Sequence, residues 1–234
     1  MGKLSNELRD LDVYLLKESH YKAMLPSALR DDIDPLFNHL RKKRSKALRL
    51  VIRGLKSKNY VKILQDWETF LKKPVRNSAN AVNAGLPVID LACKRINKKY
   101  RGIVKAGSMI LENTQDEKLH ALRIECKKLR YLMEFFASLY APKKIGALIE
   151  QLKKLQDNLG DFNDLCIQVE YLLDIAQELP VTPRRSKNTL VSIGSLIGTL
   201  DRERKKVKGA FARTFSGFAS AENRELFLEL FRRQ

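Results

Sequence analysis

Apolar residues recur at helical spacing along almost the whole of this 234-residue chain. No stretch alternates apolar and polar residues for long, and β-branched residues do not cluster as they do in strands. Glycine and proline are few, at 11 and 7 residues, which disfavours a turn-rich β-sandwich and a disordered tail. The sequence therefore predicts an all-α protein, long enough to bury one large core or two smaller ones.

Prolines and capping residues divide this pattern into separate helices. Ser5 is the predicted N-cap of the first helix, and acidic residues from Asp31 onward suit the positive end of the second helix dipole. The predicted helices run over Ser5–Ser19, Asp31–Lys56, Tyr60–Leu71, Pro87–Ile110, Asp116–Tyr140, Lys143–Glu178, Lys187–Ala219 and Glu222–Arg233. Pro142 and the pair Pro180 and Pro183 fall between helices.

An Asn-rich linker is predicted over residues 75–86, and the two parts of the chain on either side of it are similar. LFNHLRKKRSKAL aligns with LIGTLDRERKKVK at an offset of 160 residues, which pairs Leu40 with Leu200 and Arg44 with Arg204. A short helix with aromatic residues follows each segment. We therefore predict an internal duplication.

The predicted repeats are unequal in length. The second repeat, over residues 87–234, opens with two helices that have no counterpart in the first, over residues 1–74. The first repeat is therefore expected to be incomplete at its N-terminus. Two such chains could complete each other, so a homodimer is one expectation.

The charge is strongly positive, with 45 Lys and Arg against 27 Asp and Glu, a net charge of +18 and a pI of about 9.9. Such self-repulsion is usually relieved by a polyanion, such as nucleic acid, a membrane surface or polymeric phosphate. The N-terminus has no apolar signal core, and the longest uncharged stretch is shorter than a membrane span. Cys93, Cys126 and Cys166 show neither disulfide nor zinc spacing. A cytoplasmic protein is expected.

The cations form stripes on single helix faces. Like charges three or four residues apart repel each other, whereas an ordinary solvated face mixes signs. Stripes in three helices therefore favour a bound anion over an ordinary basic surface. The stripes comprise Lys42, Lys46, Arg49, Arg53 and Lys56 in the second helix, Lys94, Lys98, Arg101 and Lys105 after Pro87, and His120, Arg123, Lys127 and Arg130 after Asp116.

The last of these helices carries a motif. HALRIECKKLRYLMEFF, followed after Pro142 by LKKLQDNLGDFNDL, resembles the second-half signature of the CHAD family of α-helical domains. The positions that match are His120, Arg123, Lys127, Arg130, Tyr131, Gln156, Asp157, Gly160, Asp161 and Asp164. The resemblance is close from Lys94 to the C-terminus and looser over Asn6–Leu71.

The resemblance implies an antiparallel helical bundle with two repeats about a pseudo-twofold axis. Helices of both halves would line a basic cavity that binds inorganic polyphosphate, and the protein would associate with polyphosphate granules. Polyphosphate has no base edges, so its receptor needs many cations but no stacking platform. The candidate binding residues are His120, Arg123, Lys127, Lys128, Arg130, Tyr131, Lys94, Lys98, Arg101, Lys105, Arg41, Arg44, Arg49, Arg53 and Arg204; of these, Lys128 and Arg44 lie off the main stripes.

Several residues allow two interpretations. His120 is either a phosphate donor that titrates near neutral pH or a helix-start histidine bonded to the backbone. The three aspartates of the motif are expected to cap a bend near Gly160 or to pair with cations, rather than to bind a metal. Tyr131 is expected to offer its hydroxyl to the cavity. Trp67 is expected in the core, and His20 and His39 are assigned structural or surface roles.

Other function classes stay open. The sequence has no glycine-rich phosphate loop, nucleophile elbow or zinc motif, so an enzyme is not expected, and neither is a cofactor or metal. A nucleic-acid binder would share the basic stripes, but the aromatics, 8% of the chain, fall mostly in core registers. A scaffold at a membrane surface is a third alternative.

Overall fold

The computed structural model describes residues 2–74, 82–112, 115–179 and 185–231, and within these ranges all the regular structure is helical, as predicted. The α-helices are α1 (Gly2–Leu16), α2 (Glu18–Ala23), α3 (Asp34–Leu55), α4 (Lys58–Lys72), α5 (Val88–Glu112), α6 (Asp116–Phe135), α7 (Pro142–Glu178), α8 (Arg185–Gly209), α9 (Phe211–Phe218) and α10 (Ala221–Phe231). Short 3-10 turns occupy Ser27–Leu29 and Ala137–Leu139.

Several predicted helix boundaries are wrong. The first predicted helix is interrupted at Lys17, whose backbone leaves the helical region, and Ser5 lies inside α1 rather than capping it. The helix predicted from residue 31 begins at Asp34, next to a proline in its first turn, where the fixed φ of proline suits a helix start. The helix predicted over residues 187–219 is divided at Ala210, directly after a glycine.

Other predictions fall partly outside the described residues. Residues 75–81 of the predicted linker, the pair Pro180 and Pro183, and the predicted helix end at Arg233 belong to this group. The linker residues that are described, 82–86, form a turn in which the Leu86 amide donates to the Asn83 carbonyl at 3.1 Å. The helix predicted to end at residue 140 ends at Phe135, and a 3-10 turn follows it.

The helices form two compact units that are not consecutive in the chain. The first contains residues 1–76 and 169–200, and the second contains 77–168 and 201–234. The sequence of α7 is therefore shared between the units, and so is that of α8. Each unit is described separately below.

In the first unit, α1 packs against α3, and the buried side chains of both helices form the core. Leu11 of α1 and Phe37 of α3 are almost fully buried. The rings of Tyr14 and Tyr171 lie 4.8 Å apart and connect α1 to the C-terminal part of α7. On α8, the Ser192 hydroxyl donates to the Leu29 carbonyl at 3.1 Å, so the 3-10 turn is also held to this unit.

In the second unit, α5 packs against α6 and α10. On α6, helical spacing predicts a core stripe of Leu119, Leu122, Cys126, Leu129, Met133 and Phe136. The first five are buried as predicted, whereas Phe136, the residue after the helix end, is only partly buried. On α5, the same spacing predicts a core face of Ile89, Ala92, Ile96, Tyr100, Ile103 and Ile110. All of these are buried except Ile89, which is exposed. Tyr100 of α5 stacks on Phe227 of α10 with ring centroids 3.8 Å apart. This packing fixes the faces of α5 and α6 that remain for function.

Candidate functional site

The basic stripe of α6 lies on a half-buried flank of the helix. At 100° per residue, His120, Arg123, Lys127 and Arg130 share one face, about a quarter turn from the core stripe. The side chains of Arg123 and Arg130 are 23% and 27% exposed. Packing against their surroundings lowers the rotamer freedom of these cations before any anion binds.

Two neighbouring residues of α7 hold the N-terminal part of this stripe. Nδ1 of His120 lies 2.5 Å from Oδ1 of Asn163, a buried side chain. Nδ2 of Asn163 donates to Asp164 at 3.4 Å, and Asp164 lies 3.8 Å from the Arg123 guanidinium. With the Asn163 oxygen as acceptor, the proton of neutral His120 is on Nδ1, and protonation adds a second donor at Nε2. The partner of His120 is therefore a side chain, and the backbone alternative is wrong.

The other polar residues of the motif hold the two helices together. Buried Gln156 donates from Nε2 to the Cys126 carbonyl of α6 at 2.6 Å. The α7 helix continues through Gly160 without interruption, so the motif aspartates do not cap a helix end there. Asp164 instead pairs with a cation, which was the other predicted role.

The C-terminal part of the stripe is less neutralised by acidic side chains. Arg130 lies 3.7 Å from Glu134 one turn along α6, and its Nε is buried with no hydrogen-bond partner in the described part of the chain. Its guanidinium lies 5.5 Å from the ring centroid of Tyr131, a side chain that is half exposed. Lys127, between Arg123 and Arg130, forms no ion pair with any described residue. The stripe therefore carries more positive than negative charge.

Lys128 lies on the opposite flank of α6, where it contributes to the contact with α5. Its Nζ donates to Glu125 at 2.7 Å, and Lys99 of α5 donates to the same carboxylate. The hydrogen bonds from Lys128 and Lys99 lower the pKa of the Glu125 carboxyl. The charge of Lys128 is thus compensated within the protein.

The basic stripe of α5 forms a separate surface of the same unit. Its four cations are exposed on the face opposite the α5 core residues. Lys94 and Lys98 line a groove of about 670 Å³ beside Glu125 and Leu132 of α6. On the other side of α5, with Arg101, they line a second groove that reaches α10. Because α6 meets α5 through its Glu125 flank, the stripes of α5 and α6 do not converge within this unit.

The predicted cations of α3 divide into two groups. Arg41 contacts Glu18 of α2 at 2.5 Å, and Arg44 contacts Asp12 of α1, also at 2.5 Å. Arg49 and Arg53 are exposed, and neither pairs with an acidic side chain among the described residues. The first two cations therefore connect helices, and the last two are open to a ligand.

Arg204 of α8 also connects helices. Its guanidinium contacts Asp201 at 2.7 Å and Asp116, in the first turn of α6, at 3.2 Å. Lys208 donates to the same Asp116 carboxylate at 2.6 Å. Asp116 thus stabilises the positive end of the α6 dipole while it binds two cations.

Sequence reasoning missed Asn163, which holds His120. The position is variable in the motif, and no spacing rule relates it to a histidine 43 residues earlier in the chain. The only available signal was that it lies one helical turn from Gly160 and next to Asp164, within the motif segment of α7. Burial of the amide became visible only from the packing of α6 on α7.

The remaining observations concern other kinds of site. In the part of the chain that the structure describes, no helix combines the length and the apolar character needed to cross a bilayer. Those same residues contain no cluster of three or more histidine, cysteine or acidic side chains placed to hold a metal ion. The three cysteines, all of them described, form no disulfide bond with one another, and Cys93 and Cys126 are buried.

These features define a strongly basic, all-helical domain whose cations are concentrated in stripes. A sequence profile of the CHAD domain matches residues 1–173, and the chain belongs to this family. The family comprises binding domains, non-catalytic in general, that are known for binding polyphosphate. The match includes the first half of the chain and ends within α7. The motif comparison predicts that the resemblance continues to the C-terminus, which the profile match does not reach.

Two curated relatives come from Mycobacterium tuberculosis, one from strain CDC 1551 and one from strain H37Rv, and both are described as uncharacterized proteins. Each is 26% identical to this chain over 156 residues. The aligned region is 66% of this chain but 29% of each relative, so the chain spans less than a third of the length of these proteins.

Proposed function

We propose that this protein binds inorganic polyphosphate without catalysis, with the α6 stripe as its central contact. The observation that carries the proposal is that Arg123, Lys127 and Arg130 of the α6 stripe are half-buried but weakly neutralised. Among the described residues, the acidic side chains that pair with them are Asp164, at 3.8 Å from Arg123, and Glu134, at 3.7 Å from Arg130. Arginine forks and lysine ammonium groups both suit phosphate oxygens. A chain of phosphates binds along this stripe, with each cation about 4.5–6 Å from the next along the helix axis and in contact with phosphate oxygens.

The other candidate residues have different roles in this proposal. The exposed cations attract the polyanion, as expected for charges that raise association rates. They are Lys94, Lys98, Arg101 and Lys105 of α5 and Arg49 and Arg53 of α3. Arg41, Arg44 and Arg204 connect helices through their carboxylate partners, and Lys128 is neutralised by Glu125 of its own helix. His120 adds a phosphate donor when protonated.

The wider assignment follows from the same ligand. We infer that cationic stripes line the basic cavity, that the protein acts in the cytoplasm, and that polyphosphate granules are where it concentrates. No cofactor is needed for this role, because the ligand is held by charge and hydrogen bonding alone. Self-association belongs to the proposal as well and is developed in the next subsection.

The test is calorimetric titration of long-chain polyphosphate into the protein at about physiological salt. The variant Arg123→Gln, Lys127→Gln, Arg130→Gln removes three charge-assisted contacts worth roughly 1.5–3 kcal/mol each when well formed. The loss in affinity should therefore exceed about 100-fold. The matched control is Arg213→Gln, Lys154→Gln, Arg224→Gln, which removes the same residue types from exposed positions of the same unit.

The control variant distinguishes binding at the α6 stripe from attraction by the overall positive charge of the protein. Equal losses in the two triple variants would contradict the proposed site and leave only a diffuse basic surface. Duplex DNA at matched phosphate concentration and fixed salt is the competitor. If it displaces polyphosphate at equal concentration, the nucleic-acid alternative is favoured instead.

A further inference from the structure

Helix α4 presents an apolar face to solvent along its whole length. None of its residues is buried, and Trp67, Phe70 and Leu71 are 59%, 62% and 63% exposed. Trp67 and Phe70 stack with ring centroids 5.5 Å apart. The prediction that Trp67 belongs to the core is therefore wrong. Together with Ile63 and Leu64, these side chains recur at the spacing of a single helix face.

The second unit shows how a similar helix is packed. The predicted duplication, with its offset of 160 residues, aligns Trp67 with Phe227 and Leu71 with Phe231. Both phenylalanines of α10 are almost fully buried, and Phe227 stacks on Tyr100 of α5. The face of α10 that packs against α5 in the second unit thus corresponds to a face of α4 that is exposed to solvent.

The size of this face is that of an interaction site. An aromatic side chain buries roughly 150–250 Å² when fully enclosed, so Trp67 and Phe70 alone leave on the order of 250 Å² of ring surface in water. The exposed aliphatic side chains Ile63, Leu64 and Leu71 add to this area, so the patch is comparable to the largest apolar patches of monomeric proteins, which are often functional. A helix of 15 residues, about 22 Å long, presents this patch as one continuous strip.

The charges of α4 indicate what covers the strip. A chain with a net charge of +18 repels its own copies over most of its surface. The sequence of α4 is nearly balanced, with three lysines and two acidic residues, whereas α3 has seven cations and one acid. A second copy of this chain therefore meets less repulsion at α4 than at the strongly basic α3.

The positions of these charges around α4 favour the same occupant. At 100° per residue, Lys58 and Lys62 lie on the side of the helix away from Trp67, whereas Asp66 and Glu68 border the apolar face on either side. Two copies that pack on this face therefore keep these two ammonium groups apart. In a symmetric dimer the same patch meets its own copy, so the contact itself is apolar while Asp66 and Glu68 of each copy lie at its rim, where Glu68 is paired with Lys72.

We propose that α4 is a homodimer interface, in which the apolar faces of two copies pack on each other and bury Leu64 and Trp67. The interface is distinct from the polyphosphate surfaces, so its test uses protein without polyanion. Trp67 is the only tryptophan of the chain, and its fluorescence therefore reports on this interface alone.

The experiment is sedimentation equilibrium of the whole protein from about 1 to 200 μM, a range suited to a small interface, with tryptophan emission recorded over the same concentrations. The expected result is a monomer–dimer equilibrium whose midpoint coincides with a blue shift of the emission. Leu64→Glu should leave the protein monomeric with red-shifted emission and an unchanged helical circular dichroism spectrum. A wild-type protein that stays monomeric throughout overturns the proposal.

The location of the interface on α4 has its own test, which compares two adjacent residues. Leu64→Lys places a charge in the apolar face, where dimerisation would bury it without a partner, and should weaken the dimer by at least about 10-fold. Gln65→Lys adds the same charge on the polar side of the helix and should change the affinity less than about 3-fold. If the two variants weaken the dimer equally, net charge governs the association and the apolar face is not the interface.

Discussion

Adding one methyl group to Gly107 tests the packing of the second unit. A Cβ at this position of α5 would lie 2.6 Å from Cδ2 of Phe215 and closer still to Cε2 and Cζ of the same ring. Phe215 is almost fully buried, so the ring has little space to move away. Gly107→Ala therefore overpacks the contact between α5 and α9.

The magnitude follows from two opposing effects. Overpacking a well-packed core costs about 1–3 kcal/mol, and a displaced aromatic ring belongs at the upper end of that range. Alanine gains about 1 kcal/mol over glycine in a helix interior. The expected net effect of Gly107→Ala is a loss of about 1–2 kcal/mol. Gly102 lies on the same helix, and a Cβ added there would meet no atom within 4 Å, so Gly102→Ala should gain about 0.5–1 kcal/mol.

Thermal and urea denaturation, followed by circular dichroism at 222 nm, measure both variants. For a chain of this length, 1 kcal/mol corresponds to roughly 2–4 °C, so the two melting temperatures should differ by about 4–10 °C, with Gly107→Ala the lower. If Gly107→Ala is as stable as Gly102→Ala, the ring of Phe215 does not lie against α5 and the described packing is refuted.

Three further predictions concern single side chains. Burial raises the pKa of the Cys126 thiol to about 12. At pH 8 a maleimide should therefore label half-buried Cys166 first, and Cys126 only when the protein unfolds. Mass spectrometry of the digested protein measures the order of labelling. The hydrogen bond from Lys43 lowers the pKa of the Glu178 carboxyl. The pair therefore stabilises the folded protein at any pH above the ordinary glutamate pKa. This stabilisation is lost as the pH falls through the lowered pKa of Glu178. Lys43→Met should raise the Glu178 pKa in a carbon-13 NMR titration and flatten the acid side of the stability profile. Phe227→Ala should cost about 3–5 kcal/mol in urea denaturation, because the ring is almost fully buried on Tyr100.

Helical periodicity was sufficient to predict the fold class and the core face of α6, because both depend on residues close together in the sequence. The boundaries were less predictable. Nothing in the local pattern near Lys17 requires a break, and Gly209 before the break at Ala210 is compatible with a helix interior as well as with a helix end. Trp67 shows the same limit. Its helix is amphipathic, but whether the apolar face is covered depends on partners that α4 does not encode.

The interior of the candidate site was predictable only in part. The spacing of His120 and Arg123 placed them on one face, and in the structure both contact α7. The residue that contacts His120 could not be deduced, because Asn163 reaches it through tertiary packing rather than through a periodic pattern. Charge and spacing in a single sequence identify the cations. The residues that orient them, here Asn163 and Asp164 of α7, are identified only from the packing of one helix on another.

The carboxylates explain why counting cations overestimates a binding surface. Within one helix, a basic stripe without acids at i,i+4 indicates uncompensated charge. Acids from other helices change this result. Glu18 and Asp12 reach Arg41 and Arg44 of α3, two candidate cations beside its stripe, and Asp116 reaches Arg204 of α8. The cations without such partners in the described residues include Lys127 on α6, the four of the α5 stripe, and Arg49 and Arg53 on α3. Those positions retain their positive potential in the folded protein, and a polyanion gains most by binding there, because no internal ion pair has to be broken first.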